Sequence, residues 1–181
     1  MENVDYKKLL PYIGIPVIVA ALALLHAGSL DVFVLLRYLL IAIFGYVASV
    51  FDIKAKRIPN RLILAMLGVW VVTMVPKLFI DTDAAITLLF DSLLGFLVGG
   101  VPFMIVYLIS RKGLGGGDVK FIASAGLYVG FMGALSTIVY GTILAGLTGL
   151  VLLLLKKLGR KDSMPLAPFL YAGILITVFT G

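Results

Sequence analysis

Two aspartates stand at the ends of long apolar stretches in this chain of 181 residues. Asp52 closes one stretch, and Asp118 follows a glycine run in the segment G-L-G-G-G-D-V-K, residues 113–120. An ionisable group at the centre of a bilayer costs about 2.5 kcal/mol or more, and less towards the interface, so function is its default interpretation. A pair of such carboxylates on one side of a membrane suggests an intramembrane aspartic protease.

Peptide hydrolysis by two carboxylates needs one ionised group, which takes a proton from water, and one protonated group, which polarises the scissile carbonyl. Two closely spaced aspartates reach this state by themselves, because both cannot easily ionise at once. No serine, cysteine or metal is required. The glycines at 115–117, just before Asp118, are expected to adopt unusual backbone torsions and to let an extended substrate approach closely.

Each of these features also has an ordinary structural interpretation. A lone aspartate before a basic loop is usually a helix-end charge, and a glycine run between helices is usually a turn. A phosphate-binding loop is poorly supported, because no Gly-Lys-Ser/Thr sequence follows the glycines. The aspartate before the basic loop and the glycine run before Asp118, on the same predicted side of the membrane, together favour catalysis. Asp91, early in the fourth apolar stretch and on the opposite side, is better explained as a helix N-terminal charge or a packing partner.

Composition identifies a membrane protein. Hydrophobic residues make up 62% of the chain, charged residues 13%, and the mean hydropathy is +1.17, far from the usage of soluble proteins. About 20 apolar residues are needed to cross the bilayer as a helix. The sequence therefore predicts an all-α, polytopic transmembrane bundle, with residues 1–181 forming one integral-membrane domain and no soluble domain. The candidate segments are 9–26, 32–51, 62–80, 85–109, 119–131, 132–155 and 165–180.

Six or seven of these segments are expected to cross, because the fifth and seventh are short. Pro102 is predicted to kink or interrupt the fourth segment. Trp70 and some of the eight tyrosines are expected to be interfacial anchors. Small residues spaced four apart are predicted to pack inside the bundle rather than to form a dimer interface. These pairs are Gly95 and Gly99, Gly126 and Gly130, and Ala145 and Gly149.

The basic residues predict the topology. Thirteen of the 15 lysines and arginines fall in four groups, and seven crossings place all four groups on the face that carries Asp52 and Asp118. Arg37 and Lys77 then lie near the opposite face. The positive-inside rule places the basic loops and the aspartate pair on the cytoplasmic side of the cell membrane. Because topology accounts for the net charge of +6, no nucleic acid partner is predicted.

Three motifs resemble those of one family. Residues 52–60, D-I-K-A-K-R-I-P-N, resemble the first active-site motif of type IV prepilin peptidases. Residues 113–120 are similar to the second motif, the Gly-x-Gly-Asp signature, and residues 165–170, P-L-A-P-F-L, to a Pro-x-x-Pro-Phe segment. The family belongs to the Gly-x-Gly-Asp intramembrane aspartic proteases and includes archaeal preflagellin peptidases. The order of the three motifs is the expected one.

The resemblance implies an aspartic endopeptidase that removes the basic leader from type IV prepilins or prepilin-like precursors, including archaellins. Asp52 and Asp118 carry over as the catalytic pair, and Gly115 and Gly117 as the motif glycines that shape the site. The implied partners are the lipid bilayer and a precursor with a basic leader and an apolar helix. The sequence leaves open a bacterial or archaeal source, the natural precursor and the oligomeric state.

One departure from the family concerns cysteine, which is absent here. Many bacterial members carry a cytoplasmic region with paired cysteines that accompanies N-methylation. We therefore expect a peptidase-only form without that region, without zinc or another metal, and without S-adenosylmethionine or another cofactor. Two alternatives are a protease of the presenilin or signal-peptide-peptidase type and a small ion-coupled transporter. The transporter is disfavoured because the two halves of the chain show no similarity to each other.

Overall fold

The computed structural model describes residues 14–25, 31–110, 114–157 and 164–180. In these ranges the chain forms helices and no strand, which confirms the predicted all-α bundle. The helices are α1 (Gly14–Leu25), α2 (Val32–Ala55), α3 (Asn60–Ile80), α4 (Thr82–Ser110), α5 (Gly116–Leu154) and α6 (Ala167–Thr180). Within the described part, α2 to α5 are long and apolar enough to cross a membrane. The molecule is thus a multi-pass membrane protein.

Each predicted segment overlaps a helix. Segments 119–131 and 132–155 both lie in α5, whose 39 residues include a single non-helical position, Gly130. The boundary predicted between these two segments, after residue 131, lies one residue beyond Gly130. The part of α5 before Gly130 and the 14 residues of α6 each reach about 21 Å, short of the ~30 Å hydrocarbon core. The predicted shortness of the fifth and seventh segments is therefore confirmed. Residues of the first segment before Gly14 lie outside the described ranges.

The break in α5 depends on a glycine and on a side chain from α4. Gly130 has φ 74° and ψ −173°, a conformation that is essentially restricted to glycine. A Cβ atom at this position would overlap the carboxylate of Asp91. The Phe131 N–H donates to Asp91 Oδ1 over 3.0 Å, so Asp91 caps the second half of α5. Asp91 is therefore a packing partner, as predicted, and it caps a helix other than its own.

The break also leaves a carbonyl group of α5 in need of donors. Arg37 Nη2 donates to the Leu127 carbonyl oxygen and, over 2.8 Å, to Ser92 Oγ. Trp70 Nε1 donates to the same carbonyl over 3.0 Å. An unpaired carbonyl in hydrocarbon costs several kcal/mol, so these donors allow the helix to break. Placing Trp70 among the interfacial anchors was wrong, because its side chain is buried inside the bundle. Arg37 lies in the half of α2 opposite Asp52, and its side chain is buried as well.

Glycines bring α4 and α5 into direct backbone contact. A Cβ atom on Gly95 would overlap the Gly126 carbonyl oxygen, and one on Gly126 would overlap that of Gly95. A Cβ atom on Gly99 would likewise overlap the Ile122 carbonyl oxygen. The prediction of internal packing is confirmed for these small residues, which hold the first half of α5 against α4. Gly149 makes only an ordinary contact, 3.8 Å from Met164 Cε to the position of its absent Cβ.

Proline does not interrupt the helix in which an interruption was predicted. α4 continues from Thr82 to Ser110 through Pro102, and α3 likewise continues through Pro76. Both prolines are exposed, and transmembrane helices tolerate proline where the freed backbone groups are satisfied again. Of the kink or interruption predicted at Pro102, the interruption is absent and a kink stays a prediction, whereas the observed break is at Gly130.

An ion pair joins α2 to α3 at the end of the bundle opposite Asp52. Asp31, the N-cap of α2, accepts from the Phe33 N–H over 2.8 Å and from Lys77 Nζ over 2.7 Å. Lys77 Nζ also lies 5.0 Å from the centre of the Phe33 ring. The hydrogen bond from Lys77 and that from the Phe33 amide hold the pKa of Asp31 below its usual value. The pair therefore stabilises the fold above that usual pKa, and this contribution disappears as the pH falls through the lowered value.

Replacing Gly130 by alanine should lower the free energy of unfolding by about 1–3 kcal/mol or more, because alanine is strained at this φ/ψ and its methyl group meets Asp91. Gly146→Ala is the matched control in the same helix, since a Cβ atom there meets nothing within 4 Å. We expect this control to be neutral or stabilising by up to about 1 kcal/mol. Denaturant titration in detergent micelles, followed by circular dichroism, measures both. Equal stability of the two variants would contradict the role given to Gly130.

Candidate active site

The two aspartates singled out from the sequence line one cavity. Asp52 lies in the last turn of α2 and Asp118 in the first turn of α5. The cavity has a volume of about 320 Å³. It lies at the end of the bundle formed by residues 56–59 and 114–115, which we call the basic end. Gly115 and Gly117 line the same cavity. The structure therefore brings together all four site residues that the motifs predicted.

Asp52 is held by the start of α6. Its side chain is buried, and its Oδ2 atom accepts from the Ala167 N–H over 2.9 Å. Ala167 is the first residue of α6, so this N–H belongs to the donors that a helix start leaves without an intrahelical partner. The same helix end favours a negative charge. Ser49 Oγ donates to the Ala167 carbonyl over 3.3 Å, which gives α2 a second contact with α6 one turn from Asp52.

Sequence reasoning missed Ala167. The segment 165–170 was recognised only as a motif, and no role was predicted for any of its residues. The available signal was Pro168, because proline in the first turn of a helix marks a helix start, and a helix start carries free N–H donors. Which acceptor these donors would meet depends on the packing of α6 against α2, and a short sequence pattern does not contain that information.

Asp118 has different surroundings. Its side chain is half-buried, and its Oδ1 atom is buried without a hydrogen-bond partner among the described residues. Its own N–H donates to the Gly115 carbonyl over 3.0 Å, which begins α5. A buried polar atom that stays unpaired costs about 1–3 kcal/mol. This oxygen is therefore available to a group that enters the cavity.

Gly115 and Gly117 lie close to neighbouring atoms and do not adopt unusual torsions. Gly115 has ordinary extended torsions, φ −78° and ψ 135°, and Gly116 and Gly117 are helical. Among the described glycines only Gly130 has a positive φ, so the prediction of unusual torsions at 115–117 was wrong. A Cβ atom on Gly115 would lie 2.8 Å from Asp118 Oδ2. One on Gly117 would lie 3.3 Å from the backbone nitrogen of Ile58, and one on Gly116 would come no closer than 3.7 Å to any neighbour.

Two contacts join the first motif to the second. Ile58, in the loop after Asp52, lies directly against Gly117. At the next turn, Lys120 Nζ donates to Asn60 Oδ1 over 3.0 Å. The loop that follows one aspartate thus packs against the helix that carries the other.

Basic side chains complete the cavity wall. Lys56 and Arg57 line it beside Asp52. Lys56 also ends α2 in a left-handed conformation, with φ 50°, and its N–H donates to the Asp52 carbonyl over 2.8 Å. In ranges 14–25, 31–110, 114–157 and 164–180, no three metal-binding side chains come together.

Comparison with known proteins gives one family. The model of the type IV leader peptidase family matches residues 39–154, which include Asp52 and Asp118. Three similar proteins are each named prepilin leader peptidase/N-methyltransferase. The protein from Bacillus subtilis is 25% identical over 75% of this chain and 52% of its own length. The corresponding figures are 27%, 72% and 45% for Xanthomonas campestris, and 29%, 86% and 56% for Pectobacterium carotovorum.

The chain spans about half the length of the curated relatives that it matches. No solved structure gives a significant match. The matched region covers the cavity residues from Asp52 to Asp118, whereas the family model stops before residues 165–170. The contact between Ala167 and Asp52 is therefore an observation of the structure, and the match to the family model does not imply it.

Proposed function

Because this chain belongs to the type IV leader peptidase family, we propose that it is a membrane-embedded aspartic endopeptidase. Its substrates are type IV prepilins or prepilin-like precursors, which carry a basic leader ahead of an apolar helix. The names of the relatives support this choice of substrate. The reaction is hydrolysis of the peptide bond that joins the leader to the rest of the precursor.

One observation carries the proposal: Asp52 and Asp118 line the same cavity in unequal surroundings. Asp52 receives a backbone N–H from a helix start, and hydrogen bonds of this kind favour the ionised form of a carboxylate. Asp118 has a buried oxygen without a partner among the described residues. Two carboxylates that share a cavity do not easily ionise together. Asp52 is therefore assigned as the general base and Asp118 as the protonated general acid.

The reaction then proceeds in two proton-coupled steps. Asp52 takes a proton from a water molecule while the water oxygen attacks the carbonyl carbon of the scissile bond. Asp118 gives its proton to the carbonyl oxygen, which yields a neutral tetrahedral diol. In the second step Asp118 takes a proton back from one hydroxyl, the C–N bond breaks, and Asp52 gives its proton to the leaving nitrogen. Both carboxyl groups return to their initial states.

The cavity opens at the basic end, and the positive-inside rule supports placing that end in the cytoplasm. The leader of the precursor would then be removed on the cytoplasmic side of the cell membrane. The chain is proposed to carry the peptidase activity only. The methyltransferase named in the relatives is a property of those proteins, and a peptidase-only form remains our prediction from the absence of cysteine.

The two alternatives raised from the sequence have less support. The matched family is one of leader peptidases, and none of the three relatives described above is named a presenilin-type protease or a transporter. A transporter would also need its carboxylates near the midplane of the bilayer. Asp52 and Asp118 instead lie in the terminal turns of their helices.

Replacing either Asp52 or Asp118 by asparagine should reduce cleavage of a prepilin-like precursor by at least about a thousandfold, because each removes one half of the acid–base pair. The double variant should be little worse than either single variant, since the pair acts as a unit. Rates are measured by mass spectrometry of the cleaved precursor, on equal amounts of folded, membrane-inserted protein. Asp83→Asn, an exposed aspartate in the first turn of α4, is the control and should keep wild-type activity. Substantial cleavage by either single variant would contradict the assignment.

The glycines before Asp118 should differ in their tolerance of alanine. Gly115→Ala displaces the Asp118 carboxylate and Gly117→Ala presses on the backbone at Ile58, so each should lower kcat by about tenfold or more. Gly116→Ala is the matched control, because its methyl group meets only ordinary contacts, and it should stay within about twofold of wild type. Steady-state cleavage rates compare the three. A loss of activity in Gly116→Ala as large as in the other two would show that glycine is needed here for another reason.

A further inference from the structure

A second, larger cavity lies between α3 and α4, with α5 as its floor. Its volume is about 550 Å³, and its walls include Leu64 from α3 and Leu97 and Val101 from α4. These three side chains are exposed, so the cavity is an open apolar groove on the side of the bundle that faces lipid. On α4 the groove extends from Phe96 to Met104, about 12 Å or two turns of a helix.

The apolar part of the groove floor is made of small residues. Gly100 from α4, with Ala123 and Ser124 from α5, lines it, and a Cβ atom on Gly100 would lie 3.0 Å from that of Ala123. In this part of the floor, away from Lys120 at the polar end of the groove, no long side chain therefore projects. Small residues at a surface are what allow the backbone of another helix to approach closely in a membrane.

The groove lies beside the catalytic cavity. On α5, Asp118 lines the catalytic cavity and the next two residues, Val119 and Lys120, line the groove. On the other side, Ile58 lines the catalytic cavity and Asn60 lines the groove. The polar end of the groove, where Lys120 bonds to Asn60, thus lies beside the aspartates, and its apolar part leads away from them along α3 and α4.

We propose that this groove binds the apolar helix of the precursor during cleavage. The proposal rests on the proposed function, because a leader peptidase must bring the bond at the start of an apolar helix to its carboxylates. A helix seated along α3 and α4 would begin at Asn60 and Lys120. The preceding residues of the precursor would then enter the cavity between Asp52 and Asp118 in an extended form.

Lipid and a second copy of the chain are the competing occupants. An apolar groove by itself offers lipid chains the same environment, because burial of apolar surface adds little when lipid is the alternative. The small-residue floor and the position beside the aspartates favour a helix whose end must reach the cavity. Binding of a second copy of this chain would not require a groove beside the aspartates. Helix packing in the groove therefore contributes to the choice of substrate.

The kinetic test fills the groove with a large side chain. Leu97→Trp places an indole in the groove, whereas Leu94→Trp is the matched control, one turn away on α4 and outside it. The side chains of Leu97 and Leu94 are 52% and 49% exposed, so we expect the surrounding lipid to accommodate tryptophan equally well at both positions. With a precursor made of a lysine-containing leader and one apolar helix, reconstituted in liposomes, Leu97→Trp should raise KM about tenfold or more with kcat little changed. Leu94→Trp should match wild type.

A cross-linking test identifies the occupant directly. A photoreactive residue is placed at position 97 or 94 in the Asp118→Asn background, so that bound precursor is not cleaved. Position 97 should form adducts with the apolar helix of the precursor, and position 94 should not. Adducts of position 97 with lipid alone or with a second copy of the chain would overturn the docking proposal.

The outcomes separate the two proposals. If wild type cleaves the precursor but Leu97→Trp behaves like Leu94→Trp, the groove is not the docking site and the proposed function stands. If wild type leaves the precursor intact, the proposed function fails and the docking proposal fails with it.

Discussion

The structure depends on one constraint: a helix that breaks inside a membrane must find partners for the backbone groups it exposes. α5 breaks at Gly130, and its neighbours supply those partners. Arg37 and Trp70 donate to the Leu127 carbonyl, and Asp91 accepts from the Phe131 N–H. The first half of α5 is therefore a short helix fixed at its far end by α2, α3 and α4. Its near end is the first turn that carries Asp118.

The same arrangement positions the two aspartates relative to each other. α2 contacts the first half of α5 through Arg37 at one end and carries Asp52 at the other, about 22 Å further along the helix. Near the aspartates, Ile58 lies against Gly117, and α6 begins with its first N–H on Asp52. The pair is thus fixed by contacts at both ends of the helices that carry it, which is the preorganisation that acid–base catalysis requires. The unequal hydrogen bonding of the two carboxylates then supports distinct roles for them.

Much of this architecture was predictable from the sequence, because apolar length and charge placement determine membrane helices. The break in α5 was placed within one residue, and Asp52 and Asp118 were selected from their chemistry and their positions at segment ends. The partners of the break were not predictable. Arg37 was interpreted as a boundary charge and Trp70 as an anchor, because composition rules do not say which buried carbonyl needs a donor. The contact of Ala167 with Asp52 likewise joins residues 115 positions apart and depends on how α6 packs.

The central claim is that two carboxylates hydrolyse the bond between a basic leader and an apolar helix. Its most direct test incubates the purified protein with a prepilin-like precursor in water enriched in ¹⁸O and analyses the products by mass spectrometry. The account predicts a single cut at the end of the leader, with one ¹⁸O atom in the new carboxyl group of the leader. An intact precursor would contradict it, and so would the same cut made by the protein in which both Asp52 and Asp118 are replaced by asparagine.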